Sequence, residues 1–198
     1  MKLIIASHNP GKIAEFKALF ENIDLQVQSL LDYPEVEEVE ETGKTFEENA
    51  RLKAETIANQ MNCLALSDDS GLCVPKLNNE PGVFSARYAG EEKDDEKNRL
   101  KLLDNLKGFE GADRKAYFIT SIVLADPQKD SLIVEGMVEG MITKEPVGQG
   151  GFGYDSLFYY PEDQKTFAQM SAERKNEISH RGRAVKNLQE KLNDWLEG

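Results

Sequence analysis

Cysteine and histidine are scarce in this sequence, with two residues of each among 198. Cys63 and Cys73 lie in apolar surroundings, and with no secretory signal we expect reduced, buried thiols and no disulfide. The four residues lack the spacing of zinc ligands, which argues against a zinc site. Gly-x-Ser-x-Gly is absent and neither cysteine adjoins a basic residue, so no serine or cysteine nucleophile is predicted.

Long apolar runs are also missing. No segment approaches the roughly 18 apolar residues of a transmembrane helix, so no membrane partner is expected. The first apolar run, Leu3-Ile4-Ile5-Ala6, is too short for the core of a signal peptide. The sequence therefore predicts a cytoplasmic protein.

Positive charge is in deficit, since the formal net charge is −12. A long duplex nucleic acid needs a basic surface that neutralises phosphates, so no nucleic-acid partner is expected. A small anionic ligand remains compatible, because a few local donors and a divalent cation held by carboxylates can bind a nucleotide. The 39% of apolar and 30% of charged residues fit one globular domain spanning residues 1–198.

Helical and extended patterns alternate along the chain. Thr45 and Glu48 form a capping-box pattern at the start of one helix, and Asp126-Pro127 separates two strands of a predicted hairpin. This alternation predicts an α/β fold with a mixed sheet. The predicted strands are 3–6, 25–30, 63–66, 116–125 and 132–142, and the predicted helices are about 10–21, 46–61, 91–106 and 183–196.

Carboxylates form the first candidate site. Glu40-Glu41 lies in an acidic loop, and Asp68-Asp69 follows the short buried strand that ends at Leu66. Mg²⁺ takes oxygen ligands, commonly one or two carboxylates with substrate phosphates completing the shell. The alternative is a solvated turn, because Asp, Ser and Gly favour turns. Local sequence alone does not decide between them.

Basic residues form the second candidate site. Ser7-His8-Asn9-Pro10-Gly11-Lys12 joins the first strand to a helix, whose N-terminal N–H groups and lysine would suit a phosphate. An ordinary strand-to-helix connection is the competing interpretation. Both histidines lie in polar, loop-like segments beside candidate anion ligands. The remaining basic candidates are Lys175, His180, Arg181 and Arg183.

A glycine cluster at residues 148–153 is the third candidate. It is not a P-loop, because no Lys-Ser or Lys-Thr follows, and no helical pattern follows it as in a dinucleotide fingerprint. A flexible loop would explain it, but its neighbours suggest another use. An aromatic ring such as that of Phe152 or Tyr154 can stack on a base, and the carboxylate of Asp155 can accept from a base N–H.

Taken in order, these segments resemble the inosine/xanthosine triphosphate pyrophosphatase family. The resemblance runs from about Leu3 to the C-terminal helix, and six ordered motifs carry it. They are Ser-His-Asn-Pro-Gly-Lys, Glu-Glu-Thr-Gly-Lys-Thr-Phe-Glu-Glu-Asn, Ser-Asp-Asp-Ser-Gly-Leu, Pro-Gly-Val-Phe-Ser-Ala-Arg-Tyr, Gly-Gly-Phe-Gly-Tyr-Asp and Ile-Ser-His-Arg-Gly.

The resemblance implies Mg²⁺-dependent hydrolysis of XTP, ITP or dITP to the monophosphate and pyrophosphate. It also implies an elongated mixed β-sheet flanked by helices, two lobes around a central cleft, and a homodimer. One departure is His8, at a position where glycine is commoner in the family. We expect Ser7 to keep its phosphate contact, and the backbone at His8 to differ.

Residue roles carried over from the family divide among phosphate, metal, water and base. The resemblance implies that Glu41 and Asp69 hold the metal and that Asp69 is general base on the attacking water; residues alone do not decide between Glu40 and Glu41. Asn9 and Lys12 would make the direct triphosphate contacts, and His180-Arg181 would contact the 6-oxo edge of the purine. The implied substrate-binding residues are Ser7, His8, Asn9, Pro10, Gly11, Lys12, Ser70, Phe152, Gly153, Tyr154, Asp155, Lys175, His180 and Arg181.

Two rival functions remain open from the sequence. One is a Maf-like pyrophosphatase acting on pyrimidine or modified nucleotides. The other is a regulator that binds a nucleotide without hydrolysing it. The acidic pairs at 40–41 and 68–69 count against the regulator, because carboxylates near phosphate do not help a pure anion binder.

Overall fold

The computed structural model describes residues 2–21 and 25–197. Within these residues the chain forms five α-helices and eight β-strands, with short 3₁₀ turns between some of them. The strands are β1 (Lys2–Ile5), β2 (Gln26–Ser29), β3 (Leu64–Val74), β4 (Glu80–Pro81), β5 (Lys115–Asp126), β6 (Lys129–Ile142), β7 (Phe158–Tyr160) and β8 (Lys165–Thr166). The helices are α1 (Pro10–Leu19), α2 (Phe46–Met61), α3 (Asp95–Asn105), α4 (Ala172–Ile178) and α5 (His180–Glu197).

The strands form a mixed sheet, which confirms the predicted α/β class. Its order is β2-β1-β3-β5-β6-β7-β8, and β4 pairs with β3 outside this path. β1 runs parallel to both β2 and β3. β4 is antiparallel to β3, and β7 is antiparallel to β6 and to β8. The helical connections after β1 and β2 allow the parallel pairings, whereas short turns suffice for the antiparallel ones.

The chain divides into two compact units, and β3, β5 and β6 each contribute residues to both. The first unit contains the described residues of 2–69, 120–136 and 182–197, and the second contains 70–119 and 137–181. The predictions of one domain over 1–198 and of two lobes around a cleft stay predictions.

In the first unit, alternate residues of the central strands pack on opposite faces, as the two-residue period of a strand requires. Leu3 and Ile5 of β1 pack with Phe16 of α1 and Leu188 of α5. Ile4 packs instead with the apolar face of α2, formed by Ala50, Ala54, Ile57 and Ala58. Helices therefore cover this part of the sheet on both faces, and its strands are buried.

The second unit has its own aromatic core. The ring of Phe118 lies 4.7 Å from that of Phe158 and 6.0 Å from that of Phe167, measured between centroids. Leu102 of α3 and Leu72 of β3 are fully buried in the same cluster. These side chains fix the part of the sheet from which the glycine cluster at 148–153 projects.

The predicted extent of the third strand is wrong. Cys63 to Leu66 was expected to end at a turn formed by residues 67–71, but β3 continues without a break from Leu64 to Val74. Asp68 and Asp69 therefore lie in its interior, with 2% and 6% of their surfaces exposed. Sheet pairing and burial prevail over the turn preference of Asp, Ser and Gly, because tertiary contacts outweigh local propensity in strands.

Other boundaries agree with the sequence or differ at the ends. The capping box at Thr45 and Glu48 is present, and α2 begins directly after it. α3 begins at Asp95, capped by Asp94, four residues after the start of the charged run that predicted it. The short elements α4, β4, β7 and β8 were not predicted, because segments of two to seven residues show no clear period. Among the described residues, no helix is long and apolar enough to cross a membrane.

Candidate functional site

The turn at Ser7–Lys12 brings β1 into α1. Asn9 is the N-cap residue, and its Oδ1 accepts from the N–H groups of Gly11 and Lys12 at 2.9 and 3.1 Å. The Ser7 hydroxyl oxygen accepts in turn from Asn9 N–H. The expectation of free N–H groups at this helix start is therefore corrected, because the Asn9 side chain already satisfies two of them.

His8 needs no unusual backbone at the position where the family commonly has glycine. The described non-glycine residues with positive φ do not include it. An L-residue therefore fits here without backbone strain, and the expected backbone difference is not of the left-handed kind. The side chain of His8 is half-buried.

Lys12 reaches from the first turn of α1 to β3. Its Nζ lies 3.1 Å from Asp68 Oδ1, and only 16% of the lysine side chain and 1% of the aspartate side chain are exposed. The structure thus places one predicted phosphate ligand against one of the paired aspartates. An ion pair this protected from water is screened far less than a surface pair.

Lys53 is a central residue of the first unit that sequence reasoning missed. Its Nζ lies 2.6 Å from Glu41 Oε1 and donates to the Asp68 carbonyl oxygen at 2.8 Å. Burial lowers the pKa of Lys53, but the charges of Asp69, Glu41 and Asp68 outweigh it and leave the pKa above its usual value. The sequence feature that could have indicated its role is its position on the apolar face of α2, four residues before Ile57.

Asn49, one turn before Lys53, was also missed, and it joins the acidic loop to β3. Its Nδ2 donates to Asp69 Oδ2 at 3.0 Å, and its Oδ1 accepts from Gly43 N–H at 2.8 Å. A Cβ at Gly43 would lie 2.7 Å from that Oδ1, so the approach requires glycine. One fully buried amide therefore orients Asp69 and holds the segment that follows Glu41.

Asp69 is buried more than its charge favours. Burial raises its pKa, and the attraction of Lys53 and Lys12 offsets this only in part, with Glu41 adding a further increase. A carboxylate whose pKa is raised toward neutrality is a better proton acceptor than an ordinary aspartate. In the metal-free protein, Asp69 is therefore a stronger proton acceptor than an exposed aspartate.

Glu41 and Asp69 are carboxylates of the kind that holds a divalent cation such as Mg²⁺. The described residues contain no group of three or more His, Cys, Asp or Glu side chains arranged to hold a metal. Mg²⁺ does not require one, because it commonly uses one or two carboxylates and completes its shell with water and phosphate oxygens. Glu41 and Asp69 influence each other electrostatically and offer only hard oxygen donors. Glu40 is exposed, which favours Glu41 for this role.

In the second unit, Asp155 and Lys175 form a buried pair. Lys175 Nζ lies 2.6 Å from Asp155 Oδ2, which also accepts from Phe152 N–H at 3.0 Å. A Cβ at Gly151, where φ is +70°, would come within 2.0 Å of the same oxygen. Both predicted substrate residues therefore shape the loop at 148–155 from within.

Phe152, Ser70, His180 and Arg181 complete the group in the second unit. The Phe152 ring centroid lies 4.8 Å from Lys175 Nζ and 5.5 Å from Arg181 Cζ. Arg181 Nη2 donates to Ser70 Oγ at 2.8 Å. His180 was expected in a loop and away from apolar faces, but it begins α5, is 3% exposed and stacks on Phe118 at 4.8 Å. Its partner Phe118 is 62 residues away in sequence, so no local pattern could show the contact.

The structure brings most predicted residues into one of two groups. Gly153 and Tyr154 lie in the same loop as Phe152, and Tyr154 OH donates to the Ser85 carbonyl at 2.8 Å. Arg183 is exposed, and Pro10 is the first residue of α1. The first unit holds Ser7, His8, Asn9, Pro10, Gly11, Lys12, Glu41, Asp68 and Asp69, and the second holds Ser70, Phe152, Gly153, Tyr154, Asp155, Lys175, His180 and Arg181.

The chain is a mixed α/β protein whose first unit buries lysines beside paired carboxylates. Lysines of this kind can bind phosphate, and carboxylates can bind a divalent cation. The comparisons with known proteins identify the family. The model of the Ham1 family matches residues 3–191, and the chain belongs to this family.

Curated relatives and solved structures are similar over almost the full length. The dITP/XTP pyrophosphatase of Bacillus anthracis is 49% identical over 199 residues, covering 100% of this chain and 98% of the relative. That of Halalkalibacterium halodurans is 50% identical over 194 residues, covering 98% of each. The Ham1 protein of Staphylococcus aureus has a TM-score of 0.87 at 45% identity, covering 98% of this chain and 99% of that one. A HAM1 protein of Coxiella burnetii has a TM-score of 0.88 at 40% identity, with the same coverage.

Replacing Asp69 with asparagine should stabilise the metal-free protein. The folded-state pKa of Asp69 is raised, so its ionised form opposes folding. This cost is absent below the unfolded-state pKa and fully present above the folded-state pKa. In EDTA, the Tm of D69N should exceed that of the unchanged protein at pH 8, and the difference should shrink toward pH 4.

Differential scanning calorimetry at both pH values checks this expectation. Glu40→Gln is the matched control, because it removes an exposed carboxylate and should leave Tm nearly unchanged at both. The difference in Tm between D69N and the unchanged protein decides the outcome. If this difference is smaller at pH 8 than at pH 4, the raised pKa of Asp69 is contradicted.

Proposed function

We propose that this chain hydrolyses the non-standard purine nucleoside triphosphates XTP, ITP and dITP to the monophosphate and pyrophosphate, removing them from the nucleotide pool. The observation that carries the proposal is the cluster of Lys12, Lys53, Glu41 and Asp69 in the first unit. Such a set can bind a triphosphate, hold a divalent cation and accept a proton. The full-length similarity to curated dITP/XTP pyrophosphatases supports it.

Lys12 and Lys53 supply positive charge in the first unit. Cleavage of a phosphoanhydride needs neutralisation of developing negative charge and a directed water more than covalent chemistry. Mg²⁺, held by Glu41 and Asp69, would polarise phosphate oxygens when bound. Asp69 accepts a proton from the attacking water at a carboxylate oxygen, and Asn49 keeps that carboxylate oriented.

The second unit recognises the purine in this proposal. Arg181 and His180 provide N–H donors for a 6-oxo group, and the Phe152 ring provides a stacking surface. A 6-amino group would leave such donors unsatisfied, so adenine nucleotides are rejected. The packing of Arg181 near Phe152 and its hydrogen bond to Ser70 support this role, because they hold the guanidinium in place.

A panel of triphosphates tests the function. We expect pyrophosphate release from XTP, ITP and dITP with much higher kcat/KM than from ATP, CTP or UTP, and loss of release when EDTA removes the metal. A preference for pyrimidine or modified nucleotides would favour the Maf-like alternative. Binding without release of pyrophosphate would favour a regulator.

Asp69→Asn tests the general base. Loss of a positioned base and of one proposed metal ligand should lower kcat by about 10²–10⁴-fold, while ITP binding in EDTA, which does not depend on the metal, stays close to that of the unchanged enzyme. Single-turnover pyrophosphate release and calorimetric ITP binding measure the two effects. Glu40→Gln is again the matched control and should retain activity, whereas near-normal turnover of D69N would reject Asp69 as base.

We also propose, from the family resemblance, a cytoplasmic homodimer without nucleic-acid partners. The mass of one chain is 22.2 kDa. Light scattering coupled to gel filtration should therefore give twice this mass at micromolar concentration. A single species with the mass of one chain would exclude the dimer.

A further inference from the structure

The peptide units around Gly153 are held from two sides by α3. Gly153 N–H donates to Asp95 Oδ2 at 2.8 Å, and Gly153 O accepts from Arg99 Nη1 at 2.8 Å. Asp95 and Arg99 are four residues apart, so they project from the same face of the helix. No motif of the sequence analysis includes either residue, and the proposed chemistry does not use them.

Gly153 is a position where the loop needs external support. Its φ is +58°, and a Cβ built there would meet no atom within 4 Å. The preceding glycines Gly148 and Gly151 also have positive φ, at +87° and +70°. Glycine adopts many backbone conformations in the absence of tertiary contacts, so local preference does not fix the backbone at Gly153. Hydrogen bonds to both polar groups of Gly153 restrict this freedom.

The hydrogen bonds that join Asp95 and Arg99 to Gly153, together called the clamp, lie between two aromatic residues of the loop. Phe152 precedes Gly153, and its ring lies near Lys175 and Arg181. Tyr154 follows it and is anchored by its hydroxyl to the Ser85 carbonyl. Asp155 fixes the Phe152 N–H, but the orientation of the peptide after Phe152 depends on Gly153. Asp95 and Arg99 therefore restrain the backbone that directly follows Phe152.

We propose that Asp95 and Arg99 are positioning residues that set base selectivity by fixing Gly153 and thereby Phe152. The inference rests on the proposed function, in which Phe152 stacks on the purine and Arg181 donates to its 6-oxo group. Because the Phe152 ring packs 5.5 Å from the Arg181 guanidinium carbon, a displaced Phe152 also displaces the group that distinguishes dITP from dATP. Neither residue contacts the reacting atoms. The carboxylate and guanidinium make charge-assisted hydrogen bonds, which are stronger than neutral ones.

Asp95→Ala is the principal test. Removing one charge-assisted hydrogen bond from the loop should raise KM for dITP about tenfold with kcat little changed. An effect on KM alone is typical of lost ground-state binding. The kcat/KM ratio of dITP to dATP should fall in parallel. Asp95→Asn keeps an acceptor for Gly153 N–H and should recover most of the loss, and Arg99→Ala should resemble D95A.

Glu96→Ala is the matched control, because Glu96 is an exposed carboxylate in the same first turn of α3. It should behave as the unchanged enzyme in KM and in selectivity. A D95A variant that lowers Tm but keeps both KM and the dITP-to-dATP ratio would overturn the proposal and leave Asp95 a structural role only. An E96A variant with the same losses as D95A would also overturn it.

Equilibrium binding of ITP in EDTA separates this inference from the proposed function. Weaker ITP binding by D95A than by E96A supports the clamp, whether or not the unchanged protein releases pyrophosphate. Binding of ITP by the unchanged protein without release of pyrophosphate rejects only the proposed hydrolysis. Normal hydrolysis with equal ITP binding by D95A and E96A overturns the clamp alone. A protein that neither hydrolyses nor binds ITP overturns both.

Discussion

The chemistry of the first unit depends on the buried ammonium of Lys53. Asp68 and Asp69 lie inside a strand, where ionised carboxylates lose their hydration. The nearby positive charge of Lys53, with that of Lys12, compensates part of this loss and keeps the acidic residues in one place. Removing either lysine would leave buried carboxylates with less compensation, which is far more costly than the loss of a surface pair.

The burial of Asp69 also explains why Lys53 and Lys12 compensate its negative charge only in part. A fully compensated Asp69 would have an ordinary or lowered pKa and would be a weak base. Its pKa is instead raised by burial, while Asn49 supplies one hydrogen bond that holds the carboxylate without adding charge. The burial of Asp69 thus costs folding stability, and in the proposed reaction it would favour proton transfer to this carboxylate, a compromise common to sites that shift pKa values.

The sequence predicted the regular elements of the first unit well, because their signals are local. The cap at Thr45 and the apolar face of α2 occur within one helix, and both are confirmed. Lys53 contacts Glu41, which is 12 residues away in sequence, and His180 contacts Phe118, which is 62 residues away. Contacts at these separations leave no periodic pattern in the local sequence. The interior position of Asp69 was missed for a related reason, since burial on both faces of β3 depends on helices distant in the chain.

The two units use buried ion pairs for different purposes. In the first, Lys12 and Lys53 accompany carboxylates that can also serve a metal and a water. In the second, Asp155 and Lys175 pair with each other, and the same Asp155 oxygen, Oδ2, also accepts from the Phe152 N–H. That pair holds a loop in which the backbone of Gly151 lies close to the Asp155 carboxylate. Only glycine fits there, because a Cβ at this position would lie 2.0 Å from Asp155 Oδ2. In the proposed function, selectivity therefore depends on how firmly the backbone presents Phe152 as much as on the side chains that face the base.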